Sequence, residues 1–76
     1  MSFQAYLTNI EAKTGKCPAQ FRDWASAHGW MADGRLRPDV KAGIVTDALK
    51  QEFDLGHGHA MAIYALFKGM KREGDA

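Results

Sequence analysis

Two glycines alternate with two histidines at Gly56-His57-Gly58-His59, just ahead of an apolar stretch that begins at Ala60. Glycine lifts steric limits on the backbone, so successive N–H groups can turn outward together. A helix beginning there adds unpaired amides and the positive end of its dipole. Such an arrangement holds anions, and suits a phosphate. The expected mechanism is that the amides of His57, Gly58 and His59 grip a phosphate while a basic cluster assists. Protonating His57 or His59 would add charge. Affinity is therefore expected to rise as the pH falls below about 6.5, the value of free histidine. The alternative is structural: the glycines serve only a sharp turn between two helices.

Two groups of basic residues are candidates to assist. Arg35, Arg37 and Lys41 form one, and Lys68, Lys71 and Arg72 the other. Lys41 and Lys68 are the residues expected to join the turn, although each group also reads as a solvated face. Glu52 and Asp54 precede the turn and work against a strong anion site.

Other chemistry has less behind it. His57, His59, Cys17 and His28 would supply four soft ligands, but their spacing matches no recurrent zinc pattern, so no metal site is expected. Cys17 stands beside Lys16 at a helix start, which favours thiolate, yet no nucleophile signature surrounds it. It reads as a cap residue. Asp23, Asp33, Asp39 and Asp47 offer carboxylates without a pair marked out for acid–base work. So small a core leaves little room for a substrate cleft. No catalytic residue, cofactor or enzymatic activity is expected.

The elements that would position these residues are helices. Phe3, Tyr6, Leu7 and Ile10 recur at i, i+3, i+4 and i+7, one apolar stripe. Ser2 is the expected N-cap, and Gly15 ends that helix. Pro18 opens a second helix, with Phe21, Trp24, Ala25 and His28 at the same spacing and Gly29 as its stop. An irregular loop is expected from Gly29 to Asp39. Asp33-Gly34 marks a turn there, and Arg37-Pro38 disfavours helix. Trp30, Met31 and Leu36 would pin this loop to the core; an exposed Trp30 would instead anchor a protein partner. A third helix is expected from about Val40 to Phe53, with Val45, Ala48, Leu49 and Phe53 inward and Leu55 following as an apolar staple. The fourth carries Ile63, Leu66, Phe67 and Met70 inward. Trp24 and Trp30 are expected in the core.

The whole is read as an all-α protein, a compact bundle of four short helices in one domain over residues 1–70. Residues 71–76 lack an apolar pattern and read as a flexible tail. A chain of 76 residues supports one domain. Its net charge of +1 allows a local basic patch but not a strongly basic nucleic-acid binder. The single cysteine excludes an internal disulfide and fits a reducing, cytoplasmic setting. No leader sequence or membrane span is expected.

Three resemblances bear on function. Gly56-x-Gly58 between short helices, with Ala62 four residues on, resembles the helix-hairpin-helix motif, whose members bind DNA backbone through hairpin amides; His57 stands where that motif has an aliphatic residue. The Gly-His start of the last helix is also similar to the final helix of sterile-alpha-motif domains, which mostly bind proteins. Over nearly its full length the chain resembles a bacterial family known as a domain of unknown function, number forty-two eighty-seven. Phe3-Gln4-Ala5-Tyr6-Leu7, Asn9 to Lys16, Lys41-Ala42-Gly43 and Gly56 to Ala62 carry that resemblance. Cys17 replaces the family's usual threonine, and Ala48 its usual helix-three tryptophan. The resemblance implies no activity. The leading expectation is a non-enzymatic binding module whose partner is nucleic acid, contacted at Gly56–Ala60. The alternative is protein–protein interaction through the loop around Trp30.

Overall fold

A computed structural model of the chain describes residues 3–70. Helix α1 spans Phe3–Thr14, α2 spans Pro18–Ala27, α3 spans Ala42–Phe53 and α4 spans His57–Lys68. Between α2 and α3 lie two short strands, β1 at Met31–Ala32 and β2 at Arg35–Leu36. The four helices form a small, compact, mainly helical bundle. The expected N-cap Ser2 and the expected tail over 71–76 lie outside the described residues.

Each helix end follows from its local chemistry. Gly15 takes φ +73° and donates to the Glu11 carbonyl at 2.7 Å, closing α1. At the start of α2, Pro18 occupies the first helical position, and the Gln20 carboxamide accepts the Cys17 N–H at 2.8 Å. Gly29, at φ +78°, ends that helix: its N–H reaches Ser26 and the Trp30 N–H reaches Ala25. Gly69 and Met70 close α4 with the same pair of bonds, to Leu66 and Ala65.

The loop expected over Gly29–Asp39 contains a β-hairpin. Met31 pairs with Leu36 and Ala32 with Arg35, antiparallel. Asp33 and Gly34 form its two-residue loop with φ of 54° and 78°. Two left-handed residues match the strand twist, which is why Asp-Gly favours this turn. Strands of two residues carry no legible alternation, so only the turn was readable. Beyond the ladder, Arg37 donates its N–H to the Trp30 carbonyl at 2.7 Å. Its guanidinium reaches the Gly29 carbonyl at 3.0 Å and Asp39 at 2.8 Å, closing the hairpin's base.

Helix α3 begins at Ala42 rather than near Val40. A turn closes first, with the Val40 N–H on the Arg37 carbonyl, and Lys41 stays extended as the N-cap. Val45 and Leu49 are buried as expected, while Ala48 and Phe53 are half-buried. Thr46 is buried as well; its hydroxyl donates to the Ala42 carbonyl at 2.9 Å, so it enters the core without an unpaired polar atom.

Helix α4 is the centre. Ala60, Ala62, Ile63, Leu66 and Phe67 are all buried. The substantial helix–helix contacts all run through it: α3, α1 and α2 each pack on α4, and β2 joins them. Phe21, Phe67, Ile10, Leu49, Ile63 and Val45 are the largest fully buried side chains. Two expectations for apolar residues fail. Met70 is 69% exposed, because the left-handed Gly69 turns the chain off the helical stripe before it. Trp24 and Trp30 lie at the edge of the core, half-buried.

Candidate functional site

The segment 54–56 joins α3 to α4. Asp54 makes the reversal, in the left-handed region at φ 55°. Gly56 is extended at φ −71°, ψ 167°, and caps α4 by accepting the Ala60 N–H at 2.9 Å. Neither Gly56 nor Gly58 has a positive φ. A Cβ added at either would meet nothing within 4 Å. The sharp turn therefore rests on Asp54, and the steric role expected of these glycines is not needed. What the glycines do is leave the start of α4 bare. No side chain caps it, and Gly56, His57 and Gly58 are all exposed.

The two histidines diverge. His57 faces solvent, whereas His59 is half-buried and meets the Tyr6 ring of α1 edge-on at 5.8 Å. Residues two apart on a helix do not share a face. Among the described residues no three of His, Cys, Asp and Glu gather as a metal site would require. No pocket opens among them either. Cys17 is a free, half-buried thiol.

The lysines expected at the turn stand elsewhere. Lys41 is exposed at the N-cap of α3, and Lys68 is half-buried in the last turn of α4. A 12-residue helix separates each from the turn, about 18 Å along the axis. Arg35 belongs to the far end of α4 too: its Nε lies 3.4 Å from where a Cβ on Gly69 would be. Arg37 is held by Asp39 and the Gly29 carbonyl. Lys71 and Arg72 are outside the described residues.

A different lysine reaches the end of α3. The Lys16 ammonium lies 6.0 Å from the ring centroid of Phe53, the last residue of α3. Nothing in the local sequence links Lys16 to the segment at 53–59. Only the packing of the α1–α2 connection against the end of α3 places it there.

The acidic residues also separate. The Glu52 carboxylate is drawn across to α2, where Oε1 accepts the Trp24 indole N–H at 3.1 Å and Oε2 lies 3.4 Å from His28 Nε2. Asp54 stays exposed beside the turn. Around Glu52 the aromatic rings gather. His28 stacks on Trp30 at 4.3 Å with 13° between planes, and Trp24 meets His28, Trp30 and Phe53 edge-on. Trp30 and Met31 are half-buried and Leu36 is buried, so the loop's apolar residues serve the core at least in part.

These features define a small helical domain with an open helix start and an aromatic cluster at its edge. The chain belongs to the family described as a domain of unknown function, DUF4287, whose model matches residues 2–69. No curated protein and no solved structure matches it. Among the described residues, no helix is long and apolar enough to cross a membrane.

Proposed function

We propose that this domain is a non-enzymatic binding module that contacts a phosphate of a nucleic-acid backbone at the start of α4. One observation carries the reading. Gly56 and Gly58 are required neither by backbone conformation nor by close packing, yet they leave two positions at the start of α4 without a Cβ, and no side chain caps that helix. Phosphate oxygens approach backbone amides most closely where no side chain intervenes. The N–H groups of His57, Gly58 and His59 supply the donors, and the helix dipole supplies favourable potential. Of the two carboxylates that precede the turn, Glu52 is engaged by Trp24 and His28, whereas Asp54 stays exposed and works against the anion. Lys16, whose ammonium lies against the last residue of α3, is the cation proposed to assist in place of Lys41 and Lys68.

With a net charge of +1 the contact is weak and limited to one or two phosphates. Affinity should then fall with salt along a shallow line, with a log–log slope of about −1 to −2. A reducing, cytoplasmic setting suits the single cysteine. The protein-docking reading through Trp30 has less to stand on, since Leu36 is buried and Trp30 and Met31 pack partly into the core.

The test is an amide NMR titration with a short DNA duplex at low salt. Shifts confined to Gly56–Ala60 and Lys16, reversed by added salt, are the expected result. A silent spectrum would overturn the reading, and so would shifts confined to the Arg35–Lys68 end of α4.

A further inference from the structure

We draw no further inference here: the strongest candidate, the aromatic cluster of half-buried Trp24 and Trp30 with exposed His28 where the end of α2 meets the hairpin, is an apolar face, and nothing in the structure shows what covers it.

Discussion

The indole N–H of Trp24 donates to the Glu52 carboxylate at 3.1 Å, across 28 residues of sequence, and ties α2 to the end of α3. The backbones of those helices make few direct contacts, so side chains carry much of the junction: this bond, the His28–Glu52 approach, and the edge-on packing of Phe21 and Trp24 against Phe53. The carboxylate is partly exposed, which places the bond at the modest end of charged hydrogen bonds. Trp24→Phe should cost about 1 kcal/mol in urea unfolding, including lost ring area. A double-mutant cycle with Glu52→Ala should return a coupling of roughly 0.5–1 kcal/mol. Strict additivity would show that the bond contributes nothing in solution.

The two glycines at the start of α4 give a prediction in which stability and binding move in opposite directions. Gly58 is helical and has open space around it, so Gly58→Ala should stabilise the domain by about 0.5–1 kcal/mol. Gly56→Asp should add a few tenths of a kcal/mol as a better N-cap. Its carboxylate would then occupy the same amides and repel a phosphate. Thermal melts and the DNA titration together check both arms. A Gly56→Asp protein that still binds DNA with unchanged affinity would remove the start of α4 from the interface.

Histidine chemistry separates the two ring positions. His57 is exposed, whereas His59 packs on Tyr6. A charge carried by the side chain at position 57 would lie beside the phosphate, so His57→Lys should tighten DNA binding and His57→Glu should weaken it. Equal affinities for both variants in the DNA titration would leave the side chain at position 57 with no part in binding.

Phe67 and Met70 lie three residues apart and should respond very differently. Phe67 is fully buried while Met70 is 69% exposed. Phe67→Ala should cost about 3–5 kcal/mol, enough to unfold much of so small a domain. Met70→Ser should stay within about 0.5 kcal/mol of wild type. Chemical denaturation of both variants is sufficient; a large loss from Met70→Ser would mean that its side chain is covered in solution.

The helices were legible because their apolar residues recur at helical spacing and their ends carry Gly or Pro. Gly15, Pro18 and Gly29 each do at the boundary what their chemistry suggests. Where the reading failed, the signal was either too short or not local. Asp33-Gly34 announced a turn, but two-residue strands left no alternation to reveal the hairpin. Met70 continued the inward stripe on paper until Gly69 broke the helix. Thr46 reads as polar, and only its bond to the Ala42 carbonyl admits it to the core. At the turn, the composition of 56–59 suggested glycine-driven geometry, whereas Asp54 took the left-handed position. Where Lys41, Lys68, Lys16 and Glu52 lie relative to that turn depends on helix lengths and tertiary packing, and periodicity holds no information about either.

The central position of α4 makes the molecule indivisible. A cut in the 54–56 connection would separate α1, α2 and α3 from the surface on which each rests, and would leave no smaller unit able to close around its own apolar residues. Excised pieces of this chain should therefore behave as unfolded peptides that regain structure only when both halves are mixed. A split pair divided at that connection would report reassembly as an all-or-none event, with α4 as the half that completes the other.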